Sequence, residues 1–167
     1  MKKTSLKHRK LKTHFDIVVD FLTHLSGMFP DCEETKDALL YTSNVVLADQ
    51  ALMQQGTEGW IENMKEPLKK GCAKYMKAVE SLTGVPACMY HAFTYRDVDA
   101  MSQSSTSVML AKLKLDEKLR SDVFDAESRG VFWDYMDELT RTAYDAMKET
   151  PPVAPSRQEI SDNIAEM

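Results

Sequence analysis

The sequence predicts an all-α protein, an irregular bundle of four to five helices with a flexible basic N-terminal arm and a flexible C-terminal tail. Three observations predict it. Apolar residues recur at alternating steps of three and four, which places them on one face of a helix. Proline, glycine and side-chain capping residues punctuate the chain at helix-length intervals. No stretch shows period-two alternation bounded by hairpin turns, so a sheet is not expected.

The first periodic stretch joins Leu11, Phe15, Val18, Leu22, Leu25 and Phe29 on one face. Gly27 weakens its end and Pro30, which has no amide proton to donate, stops it. Asp31 followed by Glu34 offers a capping pair for a second helix from Asp31 to Gln55, with Leu39, Leu40, Val46, Leu47 and Met53 inward and Gly56 as its terminator. These two would form an antiparallel hairpin. A third segment runs through Trp60, Ile61, Met64, Leu68, Cys72, Tyr75, Val79 and Leu82, broken or kinked at Pro67. Gly84 with Pro86 two residues on is a glycine cap and a stop.

From Val85 to Ser107 the periodicity fails, and irregular or short-helical structure is expected. Val108 to Leu115 suits one or two turns, and Leu119, Val123 and Phe124 another. Asp125 can then cap a long helix over residues 126 to 148, with Phe132, Met136, Leu139, Ala143 and Met147 as its buried stripe. After a proline-stiffened linker, Ser156 and Glu159 form a capping box ahead of a short helix carrying Ile160 and Ile164. That helix is too short to be stable alone, so it docks back, binds a partner or stays disordered. The organisation expected is a basic arm over 1–12, a helical domain over 13–148, and a linker with an amphipathic helix over 149–167.

A chain of 167 residues can bury a real core without disulfides or metal. Its longest apolar runs are far below the ~20 residues that cross a bilayer, so no membrane span is expected, and no secretory signal is read at the start. Cys32, Cys72 and Cys88 cannot all pair within one chain, which suits free thiols in a reducing, intracellular setting. The net charge of −5 hides an asymmetry: Lys2, Lys3, Lys7, Arg9, Lys10 and Lys12 stand in a segment without a carboxylate, leaving about −11 on the rest. Such a segment attracts acidic or phosphate-rich surfaces.

The residues that could carry chemistry are few. Cys88 and His91 have a C-x-x-H spacing, and Cys32 with Cys72 would be needed to complete a zinc site, yet Cys72 falls on an apolar stripe and Cys32 stands alone. A Cys88–His91 nucleophilic pair lacks a recognisable orienting group. Asp97 and Asp99 form a D-x-D pair without a further carboxylate cluster. His14 and His24 have no histidine at i+4 and are expected to face solvent beside the stripe. There is no phosphate-binding glycine loop and no nucleophile elbow. The eleven methionines are expected mainly to fill the protein's own core. No catalytic residue, cofactor or metal is assigned.

Two stretches carry a resemblance, HFDIVVDFLTHLSGMFPDCEETKDAL and LAKLKLDEKLRSDVFDAESRGVFWDYMDELTRTAYDAM. The opening element is Phe15, Val18, Phe21 or Leu22, Leu25 or Met28, and Phe29 with Pro30; the late element is Trp133, Tyr135, Met136 and Leu139. Together they resemble a group of short helical proteins of unassigned function encoded by large nucleocytoplasmic DNA viruses. The resemblance implies a viral protein in host cytoplasm or virion, and it transfers no catalytic residue. The function expected is a non-enzymatic interaction or structural protein. It would meet a protein partner, or weakly a nucleic acid, through Lys2, Lys3, Lys7, Arg9, Lys10 and Lys12, or through Ile160 and Ile164. The competing expectations are a small enzyme or metal-dependent protein using Cys88, His91, Asp97 and Asp99, and a weak nucleic-acid-binding accessory protein.

Overall fold

A computed structural model of the chain describes residues 6–48, 50–66, 73–94, 96, 113–152 and 154–166. All regular structure among them is helical. The helices are α1 (Leu6–Met28), α2 (Glu33–Ala48), α3 (Gln50–Lys65), α4 (Ala73–Thr83), α5 (Met89–Thr94), α6 (Leu115–Arg120), α7 (Ala126–Met147) and α8 (Arg157–Glu166). Eight helices among the described residues exceed the four to five expected. Three of them, α5, α6 and α8, span ten residues or fewer.

The long helices α1 and α7 pack along each other and organise the molecule, with α2 folded back on α1, α3 laid on both, and α5 touching α3 and α7. Their facing stripes form one large core that includes Leu22, Leu25, Trp60, Met64, Phe132, Met136 and Leu139. A smaller cluster of Leu11, Phe15, Val45, Met53 and Ala146 closes the end of the molecule where α1 begins. Fully burying each such side chain contributes roughly 1.5–3 kcal/mol, so these stripes dominate the stability.

Several local expectations are met. Asp125 caps α7, its Oδ1 accepting from the Ser128 amide at 2.8 Å. Gly84 closes α4 at φ 78, and its amide donates to the Glu80 carbonyl at 2.8 Å. The capping box of α8 is reciprocal, with the Glu159 amide on Ser156 Oγ at 3.1 Å and the Ser156 amide on Glu159 Oε1 at 3.4 Å.

Others are corrected. The residue whose carbonyl begins α2 is Cys32, one position after the expected Asp31; it accepts from the Lys36 amide at 3.3 Å. Gly56 does not end a helix, because α3 runs through it to Lys65. A Cβ at Gly56 would lie 2.6 Å from Phe15 Cζ, so the glycine serves the close approach of α3 to α1. His14 is not solvent-facing: it is 2% exposed, its Nδ1 is 2.8 Å from Thr142 Oγ1, and its ring meets Phe15 and Trp60 edge-on. His24 is exposed, beside the Tyr135 ring.

The termini are more ordered than an arm and a tail would be. Helix α1 takes in residues 6–12 of the basic segment, with Lys7, Arg9, Lys10 and Lys12, and Leu11 is fully buried. Helix α8 docks on α4, where Ile160 is buried and Ile164 half-buried.

Candidate functional site

The sequence singled out Cys88 and His91, and α5 brings them together. The Cys88 amide donates to His91 Nδ1 at 3.0 Å, and Cys88 Sγ lies 3.3 Å from the same nitrogen. A neutral imidazole has one lone pair on its unprotonated nitrogen, and here the amide already occupies it. His91 Nδ1 is therefore poorly placed to draw a proton from the thiol. Burial also pushes the Cys88 thiol above its ordinary value, although hydrogen bonds from the His91 and Tyr90 amides oppose the shift. The pair reads as a buried N-terminal turn, not an activated nucleophile.

Asp97, Asp99 and Cys72 lie outside the described residues. Among the described residues, no three His, Cys, Asp or Glu side chains converge as metal ligands. Cys32 stands apart from Cys88, at the start of α2. Its Sγ accepts from Thr35 Oγ1 at 3.1 Å. Burial raises this thiol, but the Thr35 hydroxyl and amide and the Lys118 ammonium outweigh it and leave Cys32 below its ordinary value.

Beside α5 lies a cavity of about 370 Å³ lined by Tyr90, Phe93, Thr94, Asp137, Arg141 and Tyr144. Its charged groups are already paired. Arg96 reaches Asp137 at 3.4 Å, and Arg141 forks onto Glu138 at 3.2 and 2.8 Å. The Tyr144 hydroxyl is buried with no hydrogen-bond partner among the described residues, and burial pushes its pKa up to about 12.

The basic segment is divided by the fold. Lys10 spans to Asp145 on α7 at 3.0 Å, and Lys12 pairs with Asp16 at 3.3 Å. Lys7 and Arg9 are exposed and make no ion pair among the described residues. They stand at the positive pole of α1, whose first turn holds no acidic residue, with Leu6 56% exposed beside them. Lys2 and Lys3 lie outside the described residues. At the other end of the chain Ile160 and Ile164 are engaged with the protein's own core.

One feature of the α1–α7 seam was not singled out in the sequence. Ile17 and Asp20 of α1, with Val131, Asp134, Tyr135 and Glu138 of α7, line an open groove of about 260 Å³. Ile17, Val131 and Tyr135 make an apolar floor, and the carboxylates stand around it. Glu138 is held by Arg141, whereas Asp20 and Asp134 have no ion partner among the described residues. Burial, and then the Asp20 charge, hold the Tyr135 phenol above its usual range. The spacings 17 and 20, and 131, 134, 135 and 138, mark a shared helix face in hindsight, but the facing of the two helices is a tertiary fact. Compared with family models, with curated proteins and with solved structures, the chain matches none.

Proposed function

We propose that this chain is a non-enzymatic interaction or structural protein that contacts an acidic partner through the basic end of α1. The observation that supports the reading is the pair of exposed cations Lys7 and Arg9, without an ion partner among the described residues, at the positive pole of a well-packed helix. Helix dipole and side-chain charge add there, and an acidic surface satisfies both. Because Leu11 anchors the helix in the core, the cations are presented in a preset geometry and less ordering entropy is lost on binding. Ile160 is already used inside the protein, so the contact is assigned to the N-terminal end alone. Cys88, with a buried thiol raised in pKa, lends no support to the enzyme reading. The intracellular setting, host cytoplasm or virion, rests on the sequence resemblance and on three cysteines that cannot all pair within one chain.

The test is affinity capture of the tagged chain from its native cell, with mass spectrometry and nucleic-acid analysis of what it holds. The expected partner is acidic, released by salt, and lost when Lys7→Glu and Arg9→Glu are combined. Recovery of the same partners by the wild type and the double variant would refute the reading.

A further inference from the structure

We infer that one acidic partner of the basic α1 end is a second copy of this chain, whose α1–α7 groove receives it. This rests on the reading of Lys7 and Arg9 as a contact surface and names what they contact. The two surfaces are complementary in kind. The donor end carries Lys7, Arg9 and the exposed Leu6; the acceptor groove carries Asp20 and Asp134, which have no ion partner among the described residues, around Ile17, Val131 and Tyr135. Leu6 provides an apolar anchor for the floor, and Arg9 can lie on the Tyr135 ring face as well as meet a carboxylate. The groove, about 260 Å³, is below the roughly 300–1,000 Å³ of small-molecule pockets and suits an anchoring side chain from a larger partner.

The contact must be between molecules. Lys7 and Asp20 belong to the same helix, and at about 1.5 Å per residue they are held roughly 20 Å apart along its axis. Helix α1 is clamped along its length by α2 and α7, so its end cannot fold back onto its own groove. The donor and acceptor are different surfaces, so the association is either reciprocal in a two-fold dimer or head to tail, in a ring if the rotation closes and an open chain if it does not. It is governed by exposed charges, which salt screens within about 10 Å at 0.1 M.

The experiment is sedimentation velocity of the full chain at low and at 0.3 M salt over a range of concentrations. The wild type is expected to associate with increasing concentration at low salt and to dissociate at high salt. Two charge-swapped chains are compared, one carrying Lys7→Glu with Arg9→Glu and the other Asp20→Lys with Asp134→Lys. Each alone should associate at least about tenfold more weakly, because like charges then face each other. An equimolar mixture of the two should associate again, since each chain's altered surface is matched by the other's. All four positions are exposed, and circular dichroism checks that the helices persist. Leu6→Ser tests the apolar anchor without any change of charge and should also weaken association.

A wild type that stays monomeric at low salt overturns the inference, as does association untouched by the swaps or a mixture that fails to associate while both chains are folded. Binding of a free basic peptide in the groove of a monomeric wild type also overturns it, by giving the groove a different occupant. If the chain is monomeric yet Lys7→Glu with Arg9→Glu still loses an acidic cellular partner, the self-association falls and the proposed function stands.

Discussion

His14 offers a direct measure of how the core responds to acid. Its imidazole is 2% exposed, and desolvation by burial lowers its pKa from 6.5 to about 4, against a smaller opposing contribution from a hydrogen bond to the Leu139 backbone. In the unfolded chain it titrates near the ordinary value, so between the two pKa values the unfolded state binds the proton and the folded state does not. Stability is therefore fully present at neutral pH, falls as pH drops through 6.5, and levels off below about 4, where both states are protonated. At 1.36 kcal/mol per unit the full loss is about 3 kcal/mol, and about 2 kcal/mol of it falls between pH 7 and 5, before most carboxylates titrate. For a domain of this size that is a fall in Tm of about 4–8 °C. The assay is urea unfolding at pH 7, 6 and 5 for the wild type and His14→Gln. Because His91 is also buried, the informative quantity is the difference between the two proteins. The variant should be weaker at pH 7 and should lose about 2 kcal/mol less on going to pH 5. Equal pH slopes, or an imidazole titrating near 6 by nuclear magnetic resonance, would refute the assignment of His14 as a neutral core residue.

Other substitutions probe positions where the fold departs from local rules. Tyr144→Phe removes a buried hydroxyl that has no partner among the described residues and should stabilise the protein by about 1 kcal/mol, raising Tm by about 2–4 °C; a lower Tm would show that the hydroxyl is satisfied in solution. Gly59→Ala, with open space around a new Cβ, should stabilise by up to about 1 kcal/mol through helix propensity. Gly56→Ala drives a methyl against the buried Phe15 ring, and strain of about 1–3 kcal/mol should outweigh the same gain, so the two variants move the urea midpoint in opposite directions. In a Cys72→Ser background, iodoacetamide at neutral pH should label the half-buried Cys32 and leave the buried Cys88 intact until the protein is unfolded, as read by peptide mass spectrometry. Preferential labelling of Cys88 would reverse the assignment of the two thiols.

The helical class and many of the helix ends were legible in the amino-acid sequence because they are local. Whether Leu11, Phe15, Leu22 and Leu25 share a face depends only on 3.6 residues per turn, and the caps at Asp125, Gly84 and Ser156 act within four residues of themselves. The tertiary structure decided what those faces meet. Gly56 carries the signature of a stop, and only the arrival of Phe15 from α1 makes it a close-packing position inside a helix. His14 carries the signature of a polar surface residue, and only α7, through Thr142 128 positions away and the Leu139 backbone, gives it partners that let it be buried. Cys88 and His91 were found by spacing, but the amide that occupies the imidazole nitrogen, and the burial that raises the thiol, belong to the folded chain. The acidic groove needed Asp20 and Asp134, more than a hundred residues apart in the chain, to face across a seam between two helices. Helical periodicity determines which side chains lie on one face of a helix; which helix covers that face depends on packing between distant segments, and no local pattern encodes it.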